Sequence, residues 1–187
     1  MITEMQNVKW DEIHEASGGF DRPPAGGYLC TIVKAENVPD RKHVRLEWDI
    51  DEGDYQEIYR ASFLASGRHC PYDWRSYKED NLKYFKHFLH VLTKCNPGKF
   101  DYMTWNGDEQ AFIGLQFGAV IGYREQLSQN GKVYQNEYIA RLIDKEALAR
   151  GDFKVPELKK LKEEDRPAPI SQANEPKAQE LPFECPF

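Results

Sequence analysis

Between Val44 and Ile50 the chain alternates without a break. Val44, Leu46, Trp48 and Ile50 fall on one side and Arg45, Glu47 and Asp49 on the other. Successive side chains of a strand point to opposite faces, so this is the pattern of a half-buried strand. A helix would scatter the same apolar residues around its whole circumference. The segment therefore commits the chain to a sheet with one face on a core, and its neighbours extend that sheet. Tyr28 to Ala35, entered through Ala25-Gly26-Gly27, reads as a preceding strand that ends near Val38-Pro39-Asp40. Asp51-Glu52-Gly53-Asp54 reads as a tight turn, with Tyr55 to Phe63 returning as a third strand. Strands two and three are thus expected as a hairpin, forming a meander with strand one.

The period then changes. Residues 64–78 look irregular, with Gly67, Pro71 and an exposed group of Tyr72, Trp74 and Tyr77. From Glu79 to Cys95, Leu82, Phe85, Leu89 and Leu92 recur at three- and four-residue steps, which predicts a helix with one apolar stripe. Asp80 is placed to cap its start and Asn96-Pro97-Gly98 to end it. Leu115 to Leu127 alternates again, Ser128-Gln129-Asn130-Gly131 has the Asn-Gly signature of a hairpin turn, and Val133 to Asp144 is the return strand. A short helical piece, Lys145 to Arg150, closes the domain at Gly151.

Five strands with one helix between the third and fourth is the element order of an OB-fold. The expected class is mostly β: a five-stranded OB-fold-like barrel with that one helix, followed by a disordered C-terminal tail. The expected divisions are a lead-in over 1–24, the barrel domain over 25–156 and an acidic, Pro-rich tail over 157–187. The tail holds too little apolar surface to offset its ordering entropy.

Composition narrows the classes of partner. Of the 187 residues 40% are hydrophobic and 13% aromatic, enough for one core built largely from rings. The net charge is -6, and residues 163–187 carry six acids against two bases, so the body is left at -2. A near-neutral body makes any basic surface a local one. The four cysteines (Cys30, Cys70, Cys95 and Cys185) have no metal-ligand spacing, and Met1-Ile2-Thr3-Glu4 does not open a secretory leader. With no apolar run of membrane-spanning length, a reduced cytoplasmic location without membrane attachment is expected.

Signatures of catalysis are missing. No Gly-rich phosphate loop ends in Lys-Ser/Thr, no Gly-x-Ser-x-Gly elbow occurs, and Ala25-Gly26-Gly27 precedes a strand where a nucleotide fingerprint follows one. His87, His90 and Cys95 share one helix without a second ligand pair, which reads as a solvated face more readily than a metal site. Asp49, Asp51, Glu52 and Asp54 crowd a turn, where solvation accounts for them. No enzyme, metal or cofactor is expected.

Rings interleaved with cations point instead to single-stranded nucleic acid, which is held by stacking bases on aromatic faces while Lys and Arg follow the phosphates. The candidate nucleic-acid-binding residues are Tyr59, Arg60, Trp74, Arg75, Tyr77, Lys86, Tyr123, Arg124, Lys132, Tyr134 and Arg141. Trp48 and Phe117 share faces with aliphatic residues and are expected in the core. Lys83, Lys86, His90 and Lys94 form a basic helix stripe, either a solvated face or a phosphate track. In the tail, Leu181, Pro182, Phe183, Pro186 and Phe187 form a candidate docking peptide, the terminal ring beside its own carboxylate.

Four segments, Pro24-Ala25-Gly26-Gly27-Tyr28, Trp48-Asp49-Ile50-Asp51-Glu52-Gly53, Phe117-Gly118-Ala119-Val120-Ile121-Gly122-Tyr123 and Phe153-Lys154-Val155-Pro156, resemble a family of bacteriophage single-stranded DNA-binding proteins. The resemblance spans about residues 24–156. It implies an OB-type barrel that coats single strands in phage DNA replication or recombination, in the bacterial host cytosol. Glu180-Leu181-Pro182-Phe183 is similar to the acidic Pro-Phe tip of bacterial single-stranded DNA-binding proteins, which implies recruitment of replication or recombination proteins through the tail. Here a second Pro-Phe, Pro186-Phe187, occupies the terminus. The expected partners are single-stranded DNA and those proteins, with a homo-oligomer compatible. Two rival readings stand beside this one: a protein-interaction module that modulates a host enzyme, and a metal-dependent nuclease.

Overall fold

The computed structural model describes residues 22–67, 70–128 and 130–162. Five strands form one antiparallel sheet: β1 (Gly26–Val38), β2 (His43–Ile50), β3 (Tyr72–Ser76), β4 (Gln116–Leu127) and β5 (Val133–Ile143). Among the described residues three α-helices accompany them: α1 (Ile58–Ser66), α2 (Leu82–Cys95) and α3 (Lys145–Ala149). The strand order is β3-β2-β1-β4-β5. β3 and β5 are its two edges, and no ladder joins them.

The expected closed OB-type barrel is therefore not formed. β3 has five residues against eleven in β5, and Arg22 takes up a β5 main-chain acceptor by donating from its guanidinium to the Gln135 carbonyl at 2.7 Å. The sheet still coils, because β1 carries a bulge between Ile32 and Lys34 and the β4–β5 ladder another between Val120 and Ile121. Bulges bend a strand and increase its twist.

The third strand lies elsewhere than expected. Tyr55 to Phe63 is a turn followed by helix α1, so strands two and three are not a hairpin. The strand that pairs with β2 is Tyr72–Ser76, inside the stretch read as irregular. A carboxylate sets the start of α1. Asp49, buried at the end of β2, accepts the amides of Ile50 (2.8 Å), Tyr59 (3.2 Å) and Arg60 (2.8 Å). The last two belong to the first turn of α1, whose amides have no partner within the helix. Gly67, with φ +69°, ends it in the left-handed conformation.

The inner face of the sheet presents Cys30, Ile32, Val44, Leu46, Trp48, Ile50, Phe117, Ala119 and Ile121, all buried. Helix α2 lays Phe85, Phe88, Leu89, Val91 and Leu92 against them. The aromatic share of the composition is spent here. Phe112 is fully buried, with ring centroids at 5.4 Å from Phe88, 5.7 Å from Phe100 and 4.9 Å from Trp105. Asp80 lies in a 3-10 turn ahead of α2 and makes no cap bond, whereas Asn96 ends the helix as expected.

The outer face is covered at its centre by the chain beyond β5. A β-carbon on Gly27 would lie 2.3 Å from the Phe153 ring, and one on Gly122 would lie 2.6 Å from Pro156 Cγ. These glycines let residues 153–156 rest directly on β1 and β4. The segment then runs parallel to β4: Glu125 N donates to the Lys159 carbonyl (2.8 Å) and Lys159 N to that of Tyr123 (3.0 Å).

Helix α3 begins at Asp144, whose carboxylate accepts the Ala147 amide at 2.8 Å and faces Lys94 Nζ at 3.4 Å. That amide bond, aided by Lys94, holds the carboxyl below its ordinary value. Asp144→Ala should cost about 1 kcal/mol at neutral pH. A lowered carboxyl stabilises the fold above its unfolded value and loses that contribution as pH falls through the folded one. The stability gap between wild type and variant, read from urea unfolding, should therefore shrink toward pH ~2.

Candidate binding cleft

Because the sheet does not close, a cleft of about 670 Å³ separates the β3 side from the β4–β5 side. Its floor holds the buried Tyr59 and Glu137 together with Asp73. Arg45, Tyr72 and Trp74 form one wall, and Arg124, Gln126, Asn136 and Tyr138 the other. Tyr72 (56% exposed) and Trp74 (40%) meet edge to face at 6.2 Å, and the Arg45 guanidinium lies 5.0 Å from the Tyr72 ring centroid. Opposite them, Lys159 Nζ lies 4.3 Å from the Tyr138 ring and Arg124 5.7 Å.

The backbone of β3 adds a second feature. Trp48 N donates to the Pro71 carbonyl at 3.2 Å and Tyr77 N to the Lys42 carbonyl at 3.0 Å. In an antiparallel ladder alternate residues turn both main-chain groups to one neighbour. Asp73 and Arg75 therefore bond to β2, and Tyr72, Trp74 and Ser76 present their N–H and C=O groups away from it, the Trp74 N–H bonding the Asp73 carboxylate. No strand pairs with that edge among the described residues.

The charges of the cleft are mixed and largely spent within the molecule. Asp73 and Arg75 form an ion pair on the inner face of β3, and the Arg75 guanidinium lies 5.5 Å from the Phe88 ring. Burial pushes the Asp73 carboxyl up, against the pull of Arg75. Arg45 bridges Glu47 (3.2 Å) and Glu36 (3.8 Å), which also face Lys34 (3.9 Å each). Burial pushes the Tyr59 phenol up. The Cys70 thiol is pushed up to about 11, first by burial and then by the charges of Asp49 and Glu47, so it stays protonated at neutral pH.

Of the sequence candidates, Tyr59, Trp74 and Arg124 come together in this cleft, with Arg75 beneath it. Tyr59 is a core residue, 2% exposed, edge-on to Trp48 at 5.4 Å. Arg60 is exposed on α1 and pairs with Glu57 at 3.6 Å. Tyr77 packs on Phe85 and donates its hydroxyl to Asn37 at 2.9 Å. Tyr123 is half-buried and donates its hydroxyl to the Pro23 carbonyl. Lys132 and Tyr134 sit at the β4–β5 hairpin tip, Lys86 is exposed on α2 and Arg141 on β5. Lys94 of the basic stripe faces Asp144. Leu181, Pro182, Phe183, Pro186 and Phe187 lie outside the described residues. Sequence reasoning missed the carboxylates of the floor, Asp73 and Glu137, and the wall residues Arg45, Gln126 and Asn136. Among the described residues no group of three or more His, Cys, Asp or Glu is placed to hold a metal ion. None of the described helices is long and apolar enough to cross a membrane.

No protein-family model matches the chain, and no curated protein matches it. The resemblance to phage single-stranded DNA-binding proteins is thereby overturned, and with it the function it implied, since the closed barrel on which both rested is absent. The electrostatics agree with that correction. Of the cations read as phosphate contacts, Arg60, Arg75 and Lys94 face Glu57, Asp73 and Asp144, and two carboxylates, Asp73 and Glu137, lie at the cleft floor where a phosphate chain would pass.

Proposed function

We propose that the chain is a polypeptide-binding module that takes an extended segment of a partner protein along β3. The carrying observation is the unpaired β3 edge, whose outward main-chain groups at Tyr72, Trp74 and Ser76 border an open cleft. Strand addition to such an edge draws affinity from main-chain hydrogen bonds and specificity from alternating side-chain pockets. Exposed tyrosine and tryptophan supply large contact area at low conformational cost. The sheet already accepts an extended segment in cis, where Lys159 pairs with the stretch of β4 that runs past the end of its ladder with β1. A mixed-charge cleft suits a polypeptide, which brings both signs of charge, better than a polyanion.

The reading is of a binding protein with no reaction of its own. We place it in a reducing cytosol, a choice supported by the free thiols of Cys30, Cys70 and Cys95. The C-terminal Leu181, Pro182, Phe183, Pro186 and Phe187 are proposed, on composition alone, as a docking peptide toward a further protein.

The test is selection of a random peptide library on the full-length protein, followed by amide hydrogen exchange with a synthetic selected peptide. Exchange at Tyr72, Trp74 and Ser76 should slow on binding. Tyr72→Pro removes one outward donor and should weaken binding about 5-fold, the worth of one main-chain hydrogen bond. Tyr72→Ala, which keeps that donor, separates the backbone contribution from the ring. Unchanged exchange along β3, with Tyr72→Pro binding as well as Tyr72→Ala, would refute the reading.

A further inference from the structure

The residue after Ser76 turns from the cleft to a different cavity. Tyr77, Phe85 and Trp105 surround a space of about 380 Å³, with Val44 and Leu82 as aliphatic walls and Glu109 at its side. The ring planes of Tyr77 and Phe85 meet at 69° (centroids 6.1 Å apart) and those of Phe85 and Trp105 at 41° (6.2 Å), which makes a cup and not a stack. The polar ends of the rings are already satisfied: the Tyr77 hydroxyl donates to Asn37 Oδ1 at 2.9 Å and the Trp105 indole N–H to the Asp108 carbonyl at 2.7 Å. What lines the cavity is then mostly apolar surface, with the Asn37 amide and the Glu109 carboxylate as its polar side chains. Glu109 is the charged residue among those that line it; its Oε1 accepts from Gln110 Nε2 at 3.4 Å, and it makes no ion pair among the described residues.

Aromatic surface beside a carboxylate that faces no cation is the chemistry that selects a cation carried on an alkyl stem. Rings attract an ammonium through their quadrupole, the carboxylate attracts its charge, and aliphatic walls cover the methylenes. An anion would meet repulsion from both, and a neutral apolar group would leave Glu109 desolvated without a counter-charge. The cavity also lies at the end of the β3 edge, since Tyr77 directly follows Ser76. We infer that the cup receives the lysine side chain of the polypeptide that adds to β3. This rests on the polypeptide-binding reading for the source of the lysine, while the cation selectivity of the cup stands by itself.

The experiment has two arms on the full chain. The first titrates n-butylammonium and its neutral counterpart n-butanol, read at the indole N–H resonance of Trp105, assigned through Trp105→Phe. The ammonium should shift that resonance with about millimolar affinity and the alcohol should not. Glu109→Gln, a change at a partly exposed position that spares the rings, should weaken the ammonium by about five-fold or more. Equal shifts with both probes, or an unchanged affinity in Glu109→Gln, would overturn the cup as a cation site even if peptides protect β3. The second arm replaces each lysine of a β3-binding peptide by norleucine. One such replacement should weaken binding about five-fold in wild type and clearly less in Glu109→Gln. If the cup selects the ammonium while no lysine in a β3-binding peptide matters, the lysine assignment fails and the polypeptide reading survives.

Discussion

Replacing Asp49 with alanine should lower the stability of the fold by about 3–4 kcal/mol. Three amides, those of Ile50, Tyr59 and Arg60, lose their acceptor in a site where Asp49 itself is 3% exposed. Each buried donor left without a partner costs roughly 1–3 kcal/mol, and water entering the vacated space recovers only part of that. The consequence reaches the binding cleft, because the same bonds set the first turn of α1 and hence the placement of Tyr59 on its floor. Asp49→Asn keeps one acceptor oxygen and should fall between the two. Urea unfolding midpoints check this, and an alanine variant within ~0.5 kcal/mol of wild type would remove Asp49 from the account of α1. The pH dependence has its own sign. Burial holds the Asp49 carboxyl above its ordinary 3.8 despite the three amides. A raised carboxyl stabilises the fold below its unfolded value and loses that contribution as pH rises through the folded one. Asp49→Asn should flatten this part of the profile.

The second large effect is expected at Gly27. Its backbone is ordinary extended strand, paired opposite Val120, so alanine brings no conformational strain. The cost is steric: the new methyl would lie 2.3 Å from the Phe153 ring and 2.8 Å from Leu148 Cδ1. Side-chain ends can move, but the ring is seated against the sheet, and overpacking of this kind costs about 2 kcal/mol. Gly27→Ala and Phe153→Ala should couple, the double variant being at least ~1 kcal/mol more stable than the sum of the single losses predicts. Strict additivity would mean that Phe153 does not rest on Gly27.

This contact also explains what the sequence segments around Gly27, Gly122 and Phe153-Pro156 have in common. They are far apart in the chain, and they meet on one face of the sheet. Local patterning cannot reveal such a meeting, since nothing in an Ala-Gly-Gly run names its eventual neighbour. Where burial follows a simple period, the chain is legible: the faces of β2 and β4, the apolar stripe of α2 and the Asn130-Gly131 turn all follow from spacing. β3 was hidden for a physical reason. Its inward positions opposite Val44 and Leu46 are Arg75 and Asp73, an ion pair where the rule expects apolar side chains. Helix α1 reads as a strand because tyrosine, isoleucine and phenylalanine favour strands. Its start depends on Asp49, a tertiary cap lying in another element. The candidate site suffered the same way. Trp74 and Arg124 are visible as exposed ring and cation, while the acids beneath them emerge only once the two sides of the sheet face one another.

The seam at the middle of the sheet has a kinetic meaning. β1 joins β4 through only six pairs, Gly26 with Ile121 to Thr31 with Gln116, and most of the described chain lies between those partners. β2 follows β1 directly, and β5 follows β4 through a tight turn, so each half of the sheet assembles from close neighbours. Closing the long loop that brings the halves together is the slow entropic step. Since β3 belongs to the first half and β5 to the second, the cleft does not exist until that step is complete. Binding competence should therefore arrive with the last phase of refolding, after most of the secondary structure has already formed.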